Sequence, residues 1–257
     1  MDDQKRLMDA LLRADERIEE LASDGPRILQ KKAGFRYGMD AVLLADFARI
    51  RPNEHVADFG TGTGILPLLL KLRGKGASFD AFEIQPDMAD MAARTMQING
   101  CEDNIRVHCM AVEDIMSILP VCSVDAIVCN PPYGVPGSTL LNPSETLRIA
   151  RHQGENGLSA WFTVAFRILK GKGRLAMVYP APRMLEAMDA LQAAHLVPKR
   201  FRLVYPYAER PANLVLIEAV KDARPMLQPE PPLIIHEPDG SETAELQAIY
   251  RVSSDAQ

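Results

Sequence analysis

Between residues 55 and 195, short β-branched or apolar runs alternate with longer stretches of helical periodicity, and this alternation restricts the fold more than any other property of the chain. The strand candidates are 55–59, 77–83, 105–109, 124–129 and 173–179; the helix candidates are 64–73, 86–99, 157–170 and 183–195. Strands separated by helices run parallel, because a crossover long enough to hold a helix returns the chain to the same end of the sheet. Two further strand candidates, 200–205 and 213–220, follow each other without a helix and predict an antiparallel, hairpin-like edge. The expected fold is α/β: seven mostly parallel strands with an antiparallel edge strand and helices on both faces.

The two ends read differently. Residues 2–22 are charged, with sparse apolar positions such as Leu7, Leu11, Leu12, Ile18 and Leu21, and predict a surface amphipathic helix ended by Asp24-Gly25-Pro26. A second helix is expected to begin at Asp40 as its N-cap. From Arg224 onward, Pro225, Pro229, Pro231, Pro232 and Pro238 predict an extended strap, followed by a short helix over 243–250. No repeat or linker interrupts the chain. One domain over 1–257 is expected, with an N-terminal helical and basic extension (1–50), a core (51–222) and a proline-rich tail (223–257).

Composition narrows the partners. No apolar run approaches the roughly 20 residues of a membrane-spanning helix. Met1-Asp2-Asp3-Gln4 is acidic where a signal peptide is basic, so a cytoplasmic address is expected. Cys101, Cys109, Cys122 and Cys129 form no Cys-x-x-Cys pair and have no histidine at ligand spacing, so neither a metal site nor a disulfide framework is expected. Cys109 and Cys129 end apolar runs and are expected to be buried. A net charge of −5 argues mildly against nucleic acid, yet a nucleic-acid footprint needs only a local patch. Arg27, Lys31, Lys32 and Arg36 supply such a patch, in a stretch 27–39 that contains no acid.

His55-Val-Ala-Asp-Phe-Gly-Thr-Gly-Thr-Gly64 is a strand entering a glycine-rich turn and then a helix. Glycine lets the backbone turn tightly and approach a ligand without a Cβ clash, and the carboxyl end of a strand is where open α/β sheets bind ligands. Ile65 occupies the last glycine position of a Gly-x-Gly-x-x-Gly fingerprint, so that pattern is not matched. The segment resembles instead the Asp-x-Gly-x-Gly-x-Gly motif of class I methyltransferases, whose fold is a Rossmann-like sheet. The resemblance implies S-adenosyl-L-methionine as cofactor, cradled by Gly60, Thr61, Gly62 and Gly64, with Asp58 beside its methionine ammonium group. Glu83 ends the next strand about 20 residues on, where an acid binds ribose hydroxyls. After the third strand come Glu113 and Asp114; the family often places a carboxylate there on the adenine amino group, and Asp114 is preferred.

Val124-Asp-Ala-Ile-Val-Cys-Asn-Pro-Pro-Tyr133 delivers Asn130-Pro131-Pro132-Tyr133 to the same sheet edge as the glycine loop. It resembles the Asn/Asp-Pro-Pro-Tyr motif of methyltransferases acting on amino groups conjugated to a π system, and so places Asn130, Pro131 and Tyr133 at the reacting centre and Asn130 also against the cofactor. The chemistry suits the residue types. The lone pair of such an amine is delocalised; the Asn130 side-chain oxygen and the Pro131 carbonyl can accept its two N–H groups and stabilise the nitrogen as it becomes positive. The prolines hold the acceptors in place beforehand, and the Tyr133 ring can stack on a base.

The segment Gln30-Lys-Lys-Ala-Gly-Phe-Arg-Tyr-Gly-Met-Asp-Ala-Val-Leu-Leu-Ala45 is similar to the corresponding stretch of bacterial tRNA(Val) adenine-37 N6-methyltransferases. The similarity continues through Ala150-Arg151-His152, Gly173–Pro180, Arg210-Pro-Ala-Asn213 and Pro231-Pro-Leu-Ile-Ile235; it departs at Ser241-Glu242-Thr243, where the family carries Tyr-Thr. It implies tRNA as partner and N6 of an anticodon-loop adenosine as target. Arg27, Lys31, Lys32, Arg36 and Tyr37, with Arg148 and Arg151 downstream, are the candidate RNA contacts. Three alternatives stay open. Protein-glutamine methyltransferases share Asn-Pro-Pro-Tyr but carry a separate N-terminal helical domain. DNA and ribosomal RNA amino methyltransferases usually add target-recognition domains. A non-catalytic RNA- or cofactor-binding subunit would have no need of Asp58, Glu83 and Asn130 together.

Overall fold

The structure is a computed structural model that describes residues 8, 10–21, 25–32, 38–132 and 157–251. In chain order its elements are β1 (Glu16–Glu20), β2 (Arg27–Lys31), α1 (Met39–Phe47), β3 (His55–Phe59), α2 (Ile65–Leu72), β4 (Ser78–Glu83), α3 (Pro86–Ile98) and β5 (Ile105–Cys109). A 3-10 helix at Val112–Ser117 leads to β6 (Val124–Cys129), α4 (Gly157–Ile168), β7 (Leu169–Pro180), α5 (Met184–Ala193), β8 (Leu196–Tyr207) and β9 (Leu214–Lys221). The tail adds β10 (Gln228–Pro229), β11 (Leu233–His236) and α6 (Ala244–Arg251).

The main sheet runs β10-β8-β9-β7-β6-β3-β4-β5, with β11 also on β8. The chain builds outward from β3 through β4 to β5, then returns to lay β6 on the other flank of β3. That reversal of direction falls between β3 and β6, and the carboxyl ends of strands at such a switch point are where open sheets take ligands. Strand alternation sends side chains to two apolar layers. Val56, Ala81, Val128 and Val178 pack with α1, α2 and α6 on one face. Ala57, Phe59, Phe82, Ile127 and Met177 pack with α4 and α5 on the other. Phe59 and Phe82 are fully buried there, which fixes the strands that end in the glycine turn and in Glu83.

Five expectations are corrected. The main sheet has nine strands among the described residues, not seven, because the proline-rich strap adds β10 and β11 parallel to β8. The antiparallel strand, β9, lies inside the sheet between β7 and β8 rather than at its edge. Within 2–22, Glu16–Glu20 is a strand and not part of a helix, since it pairs antiparallel with Arg27–Lys31 across the Gly25-Pro26 side. The cap of α1 is Gly38, and Asp40 stands in the first turn, where its charge still faces the positive helix end. Cys109 is exposed because β5 is an outer strand, whereas Cys129 in central β6 is buried.

The β1–β2 hairpin is fastened to α3. Arg94 donates to both carboxylate oxygens of buried Glu16, at 2.6 and 2.8 Å, in the bidentate geometry that guanidinium and carboxylate favour. Asn99 accepts from the Arg27 amide at 2.9 Å and donates to its carbonyl at 2.6 Å, so the far end of β2 is held as well.

Candidate active site

The turn after β3 is held from the neighbouring strand. Gly60 and Thr61 both donate their amides to the Phe82 carbonyl at 2.9 Å, and Gly62 donates to Glu83 Oε2 at 3.0 Å. Gly60, Gly62 and Gly64 have φ of +72, +58 and +83°, a region closed to most side chains. Space closes the same positions. A Cβ on Gly64 would stand 2.6 Å from Met96 Cε of α3, and one on Gly60 would stand 3.0 Å from Trp161 Cη2 of α4.

Three carboxylates follow three adjacent strands along this edge: Asp58 on β3, Glu83 on β4 and Asp114 after β5. The Met110 amide donates to the Glu83 carbonyl at 2.9 Å, tying the approach to the third acid to the second. Asp58 is buried, and its Oδ2 has no hydrogen-bond partner among the described residues. Burial drives its carboxyl up to about 7; the adjacent Thr61 hydroxyl opposes the rise without reaching hydrogen-bond geometry, and the Glu83 charge adds to it. Glu83 is buried too, and its second oxygen accepts the Gln85 amide at 2.9 Å. Each carboxylate oxygen keeps a further lone pair for a ligand hydroxyl. Glu113 and Asp114 are both exposed in the 3-10 helix, so burial does not choose between them.

Asn130 arrives at the same level as the glycine turn. Phe59 pairs with Cys129 across β3 and β6, so Gly60 and Asn130 are the residues that leave the two adjacent strands together. Asn130 is half-buried, Pro131 is buried and Pro132 is exposed. Tyr133, Arg148 and Arg151 lie outside the described residues, as do Arg36 and Tyr37.

The basic candidates on β2 are separated and compensated. Arg27 sits at the Asn99 end, remote from the site edge, with its guanidinium 3.0 Å from Glu20. Lys31 sits at the other end, within electrostatic reach of Asp87 near the start of α3, but bonds Asp15 at 2.7 Å. Lys32 donates to the Ala14 carbonyl at 2.8 Å.

Two residues not singled out from sequence belong to this edge. Trp161, in the first half of α4, packs edge-on to Phe59 (6.2 Å between centroids, 90°) while its ring covers Gly60. Its one available signal was its status as the sole tryptophan, set just after the Asn130 loop. Ile84 is 40% exposed immediately after Glu83, an apolar surface beside the acid that a flat ring can cover.

Comparison with known proteins bears on the fold and the family. The methyltransferase small domain family model matches residues 38–195. A protein of Tolumonas auensis named tRNA1(Val) (adenine(37)-N6)-methyltransferase is 30% identical over 223 residues, covering 86% of this chain and 90% of the relative. A predicted O-methyltransferase from Agrobacterium tumefaciens superposes with a TM-score of 0.67 at 23% identity, over 84% of this chain and 97% of the other. A geranyl diphosphate methyltransferase in complex with SAM gives a TM-score of 0.51 at 16% identity, over 70% and 84%. These likenesses establish the class I methyltransferase fold, and the family model and the Tolumonas relative place the sequence: the chain belongs to the methyltransferase small domain family.

Proposed function

We propose that this methyltransferase transfers the methyl group of S-adenosyl-L-methionine to N6 of an adenosine in a tRNA anticodon loop, adenosine 37 of tRNA(Val), acting in the cytoplasm where that RNA is found. The observation that carries the reading is the shared exit of Gly60 and Asn130 from adjacent strands, directly beyond the unpartnered Asp58 oxygen. A buried carboxylate oxygen without a donor is costly until one arrives, and an ammonium group is such a donor; the residues present therefore fit the cofactor. Asp58 would hold its methionine end, Glu83 its ribose and Asp114 its adenine amino group, with Gly60, Thr61, Gly62 and Gly64 as the cradle. When bound, S-adenosyl-L-methionine supplies an electrophilic methyl group.

The chain's own residues then act on the acceptor. Asn130 Oδ1 and the Pro131 carbonyl accept the two hydrogens of the amine, which turns its lone pair out of conjugation and stabilises developing positive charge. Tyr133 stacks on the base. No strong general base precedes attack, because the nitrogen becomes acidic enough to lose its proton afterwards. The tRNA assignment is supported by the name of the Tolumonas relative, which the chain matches over nearly its full length.

Labelled methyl transfer to total tRNA, duplex DNA and ribosomal or release-factor protein, run side by side, tests the reading. Label in tRNA, recovered as N6-methyladenosine, is expected; label in protein with none in tRNA overturns it in favour of glutamine chemistry. Glu83→Ala is expected to weaken calorimetric binding of S-adenosylhomocysteine about 10- to 100-fold, the worth of a hydrogen bond to a charged group. Part of that loss comes from releasing the Gly62 amide. Wild-type affinity in this variant would remove Glu83 from the cofactor site.

A further inference from the structure

Resting on the RNA reading above, we infer that the β8–β9 turn, through Tyr205, Tyr207 and Arg210, is a second contact surface for the single-stranded RNA that flanks the target adenosine. Sequence directs attention to the basic stretch around β2, but the structure neutralises much of it: Arg27 and Lys31 each pair with an acid of the neighbouring β1 region. Arg13, Arg49, Arg183 and Arg202 are likewise ion-paired. Arg210, like Arg106, Arg167 and Arg224, is not, and of these it is the one set in the turn between β8 and β9. It is exposed and makes no ion pair among the described residues, not even with its neighbour Glu209.

Strand register places this turn over the site. Cys129 is level with Met177, Met177 with Ile217, and Ile217 with Phe201. β6 ends at Cys129, whereas β8 runs in the same direction six residues beyond Phe201 to Tyr207. At about 3.3 Å per residue, Tyr207 overhangs Asn130 by roughly 16 Å, and three strand spacings of about 4.8 Å set it roughly 14 Å to the side. A few linked nucleotides cover that interval.

The side chains face the correct way. Phe201 and Leu203 pack in the same apolar layer as Trp161, and alternation puts Tyr205 and Tyr207 on that face. Both are only half-buried. Tyr207 is backed by His236, with ring centroids 5.3 Å apart, and the Arg210 amide donates to the Tyr207 carbonyl at 3.1 Å. Half-buried aromatic rings beside an uncompensated guanidinium suit splayed bases and their phosphates, since stacking tolerates any base and arginine takes the backbone.

The test is binding of unmodified, transcribed tRNA to the full chain with S-adenosylhomocysteine present, across a salt series. Arg210→Ala is expected to weaken binding about fivefold and to flatten the log–log salt slope by about 0.7, the loss of one phosphate contact. Tyr207→Ala is expected to cost about tenfold, with Tyr207→Phe near wild type because the ring is retained. S-adenosylhomocysteine affinity and melting temperature should not move in Arg210→Ala, which keeps the test decisive even where Tyr207→Ala perturbs the strand. If wild type methylates tRNA while Arg210→Ala and Tyr207→Phe and →Ala all bind it with wild-type affinity and slope, this surface is refuted and the methyl-transfer reading stands. If wild type neither binds nor methylates tRNA, the RNA reading falls and this surface with it.

Discussion

Asn130→Ala is expected to lower kcat about 100- to 1000-fold while leaving S-adenosylhomocysteine affinity within about twofold, the signature of losing one preorganised acceptor that acts in the transition state. The geometry explains the asymmetry. Asn130 leaves β6 beside Gly60, but the loop is held by Phe82 and Glu83, and none of those bonds uses Asn130. Removing the amide therefore strips the acceptor amine of its partner without loosening the cofactor cradle. Single-turnover methyl transfer together with calorimetry reads both quantities. Turnover at the wild-type rate in this variant would exclude Asn130 from the chemistry.

The second large effect is a pH dependence of cofactor binding set by Asp58. Burial raises its carboxyl to about 7, so the ligand-free fold holds a proton there that the unfolded chain releases near pH 4. The sign follows: this group favours the fold at low pH, and its contribution is lost as pH rises from about 4 to 7, then levels off. An ammonium ligand needs the ionised form, so affinity moves the other way. At pH 5.5 the carboxyl is mostly protonated, and S-adenosylhomocysteine is expected to bind on the order of tenfold more weakly than at pH 7.5. Asp58→Asn should bind weakly at both values and show no such dependence. Equal wild-type affinity at the two pH values would sink the assignment.

Much of this was legible in the residues. The strands β3 to β7 and the helices between them follow from apolar runs and periodicity, and both loops of the site stand where glycine and proline break those patterns. What sequence hid was pairing. Glu16–Glu20 carries one isoleucine among charges and reads as a helix face; its strand identity depends on Ile28 and Leu29 opposite it. The same pairing sets Glu20 against Arg27 and Glu16 against Lys31, so a stretch with no acid of its own is compensated from across the hairpin. Cys109 shows the same limit: an apolar run marks a strand but not whether that strand is the outermost one. Trp161 escaped because its contact is with Gly60, a hundred residues away in the chain, and no local pattern records it.

The interior position of β9 has a consequence for how the chain assembles. β7 is among the most deeply buried strands, with Leu175, Met177 and Val178 fully enclosed, yet one of its flanks is filled by residues 214–221, synthesised after β8 has already been made. Until β9 threads between them, β7 and β8 have nothing to pair with on their facing sides, and an apolar strand with open amides and carbonyls recruits other chains. A nascent polypeptide released before about residue 221 would thus carry the whole glycine turn and Asn130 on a sheet that cannot close. Insertion of β9 between two strands made before it decides whether the sheet closes or is left open to aggregation.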